Sequence, residues 1–184
     1  MEINYNNNWT SICNSALTRI GRPMISALSD DTNDAAMCRE FLPQASAICA
    51  EYSTWSFLLH SISLPASAGT DGFNYSFSLP FDVATLTGVD TGGASYRKIG
   101  QCILTDSACC TIEYVALPEE PTNLPKTYCA ALSCYLAFLI AYPLTGNQEL
   151  RSILLSEFQT WIEQARERDN AYLPAGGNDY WCKG

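Results

Sequence analysis

Residues that could carry nucleophilic or acid–base chemistry are few and widely separated in this sequence. His60 is the only histidine, so a Ser–His or Cys–His nucleophile pair would have to use it. Because His60 lies beside Leu59 and Ile62 in a predicted strand, a packed or surface histidine is the simpler interpretation. Glu119 and Glu120 are adjacent between two prolines, whereas glycoside hydrolysis needs two carboxylates facing each other across a cleft. We therefore predict no catalytic residues and no enzymatic activity.

The nine cysteines have the wrong spacing for a zinc site. Cys129 and Cys134 are five positions apart, Cys109 and Cys110 are adjacent, and neither pair has a histidine nearby. The N-terminal residues 1–4 do not resemble a secretory signal, so we expect reduced thiols in a cytoplasm and cysteine acting as a small apolar core residue. Glycine pairs at 92–93 and 176–177 lack the lysine and the following helix of a phosphate loop. We predict neither a metal nor a cofactor.

The formal net charge of -9 argues against tight DNA binding. Duplex binding depends on many Lys and Arg contacts that release counterions, and the ten basic residues form no patch in the sequence. An acidic surface remains compatible with DNA that passes along it without binding, because like charges repel.

Four stretches with apolar residues at spacings of three and four predict helices at 9–20, 30–54, 125–142 and 147–170. Gly21 ends the first helix, Ser29 to Thr32 offer caps for the second, and Pro43 should kink it. Pro125 favours the first turn of the third helix, and Asn147 caps the fourth.

Between the second and third helices the pattern changes to short runs of aromatic and β-branched residues separated by Gly, Asp, Ser and Pro. We predict strands at 57–64, 73–78, 83–89, 96–104 and 110–115, within a β region at 57–116. The predicted fold is α+β, a four-helix bundle-like core with a small antiparallel sheet inserted between the second and third helices. Residues 1–170 are predicted to form a single domain.

Residues 171–184 are predicted to form an extended C-terminal tail, because they are too few to build a core. The tail carries aromatic side chains, which indicate ordering against a partner; a disordered end whose aromatics do little is the alternative. The interface residues predicted here are Tyr172, Leu173, Tyr180 and Trp181.

The uncharged stretch from Tyr128 to Tyr142 could be mistaken for a membrane span. Spanning needs about 20 apolar residues, and Pro143 comes too soon. We therefore predict a buried central helix and no membrane partner.

Several segments in order resemble the head-to-tail adaptor family of short-tailed phages, also called tail tubular protein A-like or head completion proteins. Residues 12–21 (ICNSALTRIG) and 25–31 (ISALSDD) are similar to the family's first helix, its glycine stop and the acidic cap of the second helix. Residues 41–45 (FLPQA) resemble the kinked helix and residues 55–57 (WSF) the entry to the sheet. Residues 75–82 (YSFSLPFD) resemble its aromatic stretch ending in Leu-Pro-x-Asp, and 96–105 a strand pair ending in Ile-Leu-Thr. Ser46 and Thr54 depart from the family's usual basic residue and proline.

The resemblance implies a structural virion protein at the head–tail junction, assembled in the host cytoplasm. Such a subunit forms a ring, commonly a dodecamer, between the portal protein and the tail nozzle or other tail proteins. The ring extends the channel through which DNA passes during ejection, without sequence-specific binding. Terminal arms of family members embrace neighbouring subunits, which implies a similar role for the tail. The alternatives are a virion-associated cell-wall hydrolase and a small soluble assembly factor.

Overall fold

A computed structural model describes residues 9–171 of the 184-residue chain. Its backbone divides into a helical unit, made of the described residues up to 49 and from 120 onward, and a β unit of residues 50–119. Four α-helices and two antiparallel sheets make the protein α+β, with the sheets between the second and third helices in chain order. The predicted fold class is confirmed. A single domain over residues 1–170 stays a prediction.

Helix α1 (Trp9–Arg19) buries one stripe and ends at the predicted glycine. Gly21 has a φ of 72°, and the Arg22 N–H donates to the Leu17 carbonyl at 2.9 Å. The left-handed conformation of Gly21 lets the Arg22 N–H reach and satisfy a carbonyl of the last helical turn. The Asn14 side chain then holds the following segment, donating to the Ile25 carbonyl at 2.9 Å and accepting from its N–H at 2.8 Å. The buried stripe is Ile12, Cys13, Ala16 and Leu17.

Helix α2 (Asn33–Glu51) begins later and ends earlier than predicted, and Pro43 lies inside it as expected. Its cap is Thr32, whose hydroxyl accepts from the Ala35 N–H at 3.2 Å. Asp30 instead accepts from the N–H groups of Ser26 and Ala27 at 2.7 and 3.1 Å. The predicted cap residues are thus divided between a turn, at Asp30, and the helix start, at Thr32.

An ion pair connects the end of α1 with the first turn of α2. Arg22 donates from Nε and Nη2 to the two carboxylate oxygens of Asp34, at 2.9 and 3.0 Å. Hydrogen bonding to Asp34 and its charge raise the pKa of Arg22. The Asp34 side chain is nearly buried, so the bidentate guanidinium supplies the partner that a buried carboxylate needs.

Helix α3 (Lys126–Thr145) continues past the predicted end at 142, with Pro143 inside it. The Thr145 hydroxyl donates to the Ala141 carbonyl at 2.6 Å. Gly146, with a φ of 68°, donates its N–H to the Tyr142 carbonyl at 2.9 Å. These bonds satisfy the carbonyls of the last turn and let the helix extend.

Among residues 9–171, α3 is the one helix long and apolar enough to cross a membrane, with a mean hydropathy of 1.5. More than half of that window, 56%, is buried inside the protein. Side chains on several faces are enclosed, including Tyr128, Leu132, Leu136 and Ile140, all 0% exposed. The predicted burial of this helix is therefore observed.

Helix α4 (Gln148–Asn170) starts at the predicted cap, where the Asn147 side chain accepts from the Leu150 N–H at 3.1 Å. Its buried face takes up only some of its apolar residues, because Ile153 is 57% exposed and Ile162 is fully buried. The Phe158 ring lies 4.7 Å from the ring of Tyr135 on α3, which fixes the face that meets α3. The buried residues are Leu154, Phe158, Ile162, Ala165 and Asp169.

The β unit contains two sheets where the sequence predicted one. One sheet has the order β1 (Leu59–Ser63), β7 (Thr111–Ala116), β4 (Val83–Asp90); the other has the order β2 (Ser67–Ala68), β3 (Tyr75–Ser78), β6 (Cys102–Thr105), β5 (Tyr96–Ile99). The predicted strand over 96–104 is a hairpin, because Gly100 has a φ of 56°. Glycine with positive φ at the first central position fits a two-residue hairpin turn.

One hydrophobic core joins the two sheets. Phe77 and Ile103 of the second sheet and Ile112 of the first are 0% exposed in the same cluster, which also holds Tyr114. Buried side chains of both sheets thus pack into one cluster, as in a small sandwich. The outermost strands of each sheet have one edge that pairs with no further strand of their sheet.

Candidate interaction surfaces

The residues considered for catalysis are not assembled into a site. His60 is exposed on β1, and its ring meets the edge of Tyr114 with centroids 5.6 Å apart. Glu119 and Glu120 are both exposed in the segment before α3. Within the described residues no group of three or more His, Cys, Asp or Glu side chains is placed to hold a metal ion.

Most of the described cysteines act as apolar core residues. Cys13, Cys38, Cys49, Cys110 and Cys134 are buried, and Cys109 is the exposed one among those that the structure describes. Burial raises the pKa of Cys49, and it raises the pKa of Cys134 to about 11. The Cys134 thiol lies 3.9 Å from Glu157 Oε2, whose charge also disfavours the thiolate. These thiols are poor nucleophiles at neutral pH.

Thiol labelling should separate the exposed cysteine from the buried ones. In a Cys182→Ser background at about pH 8, a disulfide reagent should label Cys109 rapidly, whereas Cys134 is about one part in a thousand thiolate at that pH and should label far more slowly. Peptide mass spectrometry after timed quenching measures both rates. Cys109→Ser should remove the fast phase. Labelling of Cys134 as fast as Cys109 would contradict the buried assignment.

A shallow cleft of about 180 Å³ lies between α1 and α3 in the helical unit. Three hydroxyls line it, from Ser11, Ser15 and Ser133, together with the cations of Arg19 and Lys126. Arg19 also forms an ion pair with Glu157 at 2.7 Å. Charge and hydroxyl groups could hold a small anion here, and the lining contains no histidine or carboxylate that would pair with a serine.

The predicted interface residues lie outside the part of the chain that the structure describes. They are Tyr172, Leu173, Tyr180 and Trp181; of the predicted tail only Ala171 is described. Their role at an interface stays a prediction.

Two open strand edges in the β unit are the most distinctive interaction surface among the described residues. All four residues of β5 are exposed, including Tyr96 at 49% and Ile99 at 44%. On β1, every residue except Ile62 is exposed. Such edges present unpaired N–H and C=O groups that can pair with another chain.

Sequence reasoning missed the β5 edge. Arg97 and Lys98 fell inside a strand predicted to run through Gly100, so their exposure at an edge was not foreseen. The signal was available, since a glycine after four strand residues is typical of a hairpin turn. Arg97 lies over the Phe73 ring at 5.7 Å, and Lys98 Nζ donates to the Gly100 carbonyl at 3.1 Å.

Elsewhere on the surface, single large apolar side chains are exposed in both units. Phe81, in the loop between β3 and β4, is 93% exposed, and Met24, after α1, is 72% exposed.

Comparison of the sequence with known protein families finds no family that matches it, and comparison with curated proteins finds no significant relative.

Proposed function

We propose that the protein is a structural virion subunit of a short-tailed phage, a head-to-tail adaptor. Copies of the chain form a ring that binds the portal protein on one side and the tail nozzle or other tail proteins on the other. The ring extends the channel for DNA. The subunit acts by contact and not by catalysis.

The order of elements is the observation that carries the proposal. The adaptor resemblance implies a first helix, a kinked second helix and then an inserted β region, in that order. The chain has this order, with both sheets between α2 and α3. The segments that carry the resemblance also lie at structural transitions: Gly21 at the end of α1, Trp55 just before the short 3-10 helix that leads into β1, and residues 79–82 between β3 and β4.

Charge and surface support the same role. A net charge of -9 suits the wall of a channel that DNA must pass without binding. A cyclic ring also needs two different patches on each subunit, because its contacts are heterologous. The exposed edges of β1 and β5 belong to different sheets, so they offer two patches that are not copies of each other.

Electron microscopy tests the proposal directly. The purified chain is imaged alone and after mixing with the portal protein encoded by the same genome. We expect rings, either in solution or stacked on the portal. A preparation that never associates with itself or with the portal, and that degrades cell-wall peptidoglycan, would overturn the adaptor role.

The tail should be required for portal binding and dispensable for folding. Truncation after Ala171 removes the aromatic residues predicted to contact a partner and, by that prediction, little of the core. We expect an unchanged thermal midpoint and loss of portal binding, measured by co-sedimentation. A full-length control replaces only the four predicted interface residues by alanine and should behave in the same way: Tyr172, Leu173, Tyr180 and Trp181. Equal portal binding by both variants would refute the predicted role of the tail.

A further inference from the structure

The hydrogen-bond alternation fixes which backbone groups of β5 point outward. Leu79 N–H donates to the Gln101 carbonyl at 2.8 Å in continuation of the β3–β6 pairing. Residues 79 and 101 are therefore a hydrogen-bonded pair, and such pairs recur at every second residue of an antiparallel ladder. Residues 103 and 105 of β6 thus direct their backbone groups to β3, whereas residues 102 and 104 direct theirs to β5. Since residues 97 and 99 are opposite 104 and 102, Tyr96 and Lys98 carry the N–H and C=O groups that face away from the sheet.

The same reasoning applies to β1. Leu64 N–H donates to the Cys110 carbonyl at 2.9 Å, in register with the β1–β7 pairing. Residues 60 and 62 therefore bond to β7. Leu59, Ser61 and Ser63 turn their backbone groups outward, and the described part of the chain provides no hydrogen-bonding strand beside them.

The two open edges face opposite sides of the β unit. Residues 64–66 connect β1 to β2, and residues 91–95 connect β4 to β5. Because both links are short and the sheets share one core, β1 and β2 lie on one side and β4 and β5 on the other. Strands β2 and β5 are the two outer strands of their sheet. A contact between β5 of one copy and β1 of the next can therefore repeat head to tail.

Charge favours that head-to-tail contact over a symmetric one. Arg97 and Lys98 are the only lysine and arginine residues between positions 50 and 119. Pairing β5 with β5 of another copy would place these cations opposite each other, which is destabilising. The other charged side chains in this range are all carboxylates: Glu51, Asp71, Asp82, Asp90, Asp106, Glu113 and Glu119.

We propose that β5 of one copy pairs antiparallel with β1 of a second copy, with Lys98 opposite Ser61 and Tyr96 opposite Ser63. In this register the outward groups of both strands meet, and each residue pair exchanges both backbone hydrogen bonds. The inference deepens the proposed function and rests on it, because it names the contact that closes the ring.

The register also gives Lys98 a partner. Ser61 is opposite Glu113 on β7, so both side chains lie on the sheet face that Lys98 of the neighbouring copy would join. Ser61 is small, which lets a lysine reach across it to the carboxylate. In the single copy the Glu113 carboxylate lies over Gly88, with Oε2 3.4 Å from where a Cβ would be. On assembly it turns toward β1 and forms an ion pair with Lys98.

A charge-swap experiment on the full chain tests the contact. Self-association is measured by sedimentation velocity over a range of concentrations, and assembly on portal rings by electron microscopy. Lys98→Glu alone and Glu113→Lys alone should each lower the association constant about tenfold or more, because each places like charges together. The double variant should restore association to within about threefold of the wild type. Arg168→Glu, an equal charge reversal at an exposed position on α4, is the matched control and should change nothing.

A second variant tests the backbone pairing separately from charge. Lys98→Pro removes an outward N–H and leaves the bonds to β6 intact, which an edge strand tolerates. It should keep the thermal midpoint and lose self-association. Assembly of the Lys98→Glu, Glu113→Lys and Lys98→Pro variants at wild-type strength would overturn this contact while leaving the adaptor role standing. Failure of the wild type to assemble, alone or on the portal, would overturn both.

Discussion

Leu136→Asp is expected to unfold the helical unit or to lower its free energy of unfolding by about 3–5 kcal/mol. Leu136 is 0% exposed on α3, so the substitution places a carboxylate where water cannot reach it. An uncompensated buried charge is among the few single changes with an effect of this size. Urea titration followed by far-ultraviolet circular dichroism measures the loss.

The matched control is Ile153→Asp. It introduces the same carboxylate in place of a branched aliphatic side chain, at a position on α4 that is 57% exposed. An exposed substitution should change the free energy of unfolding by about 0.5 kcal/mol or less. Equal urea midpoints for the Leu136→Asp variant and the wild type would show that α3 is not part of the core.

Local signals predicted the helices because their ends depend on a few nearby residues. Gly21 ends α1 by adopting a positive φ, and Asn147 caps α4 through its own side chain. Both effects act within one helical turn, so the sequence around each end contains the whole cause. The four helices and the inserted β region could be predicted for this reason.

Details that depend on distant partners could not be predicted. Apolar residues on α4 cover a broad arc that includes both Ile153 and Ile162, and only packing against Tyr135 and its neighbours on α3 selects the buried side. Asp30 is a good helix cap by type, yet it bonds to the turn at Ser26 and Ala27. Several residues with the same local preference compete, and tertiary contacts decide between them.

The candidate surface was hidden for a related reason. Whether a strand is an edge depends on the order of strands in the sheet, and that order follows from pairings such as β3 with β6, between segments separated in sequence. Arg97 and Lys98 therefore gave no sign of being the cations at an open edge. The predicted tail interface was found from composition alone, since aromatic side chains beyond the last helix need no knowledge of topology.

Phe77→Ala is expected to lower the stability of the β unit by about 3–5 kcal/mol. Phe77 is 0% exposed in the core between the two sheets and packs in one cluster with Ile103 and Ile112. Truncation loses the transfer free energy of the ring and leaves a cavity that rigid neighbours fill only in part. Amide hydrogen exchange, read by mass spectrometry, should show faster exchange in β3, β6 and β7.

Phe81→Ala supplies a control of identical chemistry in the same unit. Its ring is 93% exposed, so removing it takes almost no apolar surface out of the core, and stability should stay within about 0.5 kcal/mol of the wild type. The contrast between the two phenylalanines isolates burial as the cause, since side chain and substitution are the same. Equal exchange rates in the two variants would mean that the sheets do not share the core assigned to them, and the opposite placement of the β1 and β5 edges would lose its basis.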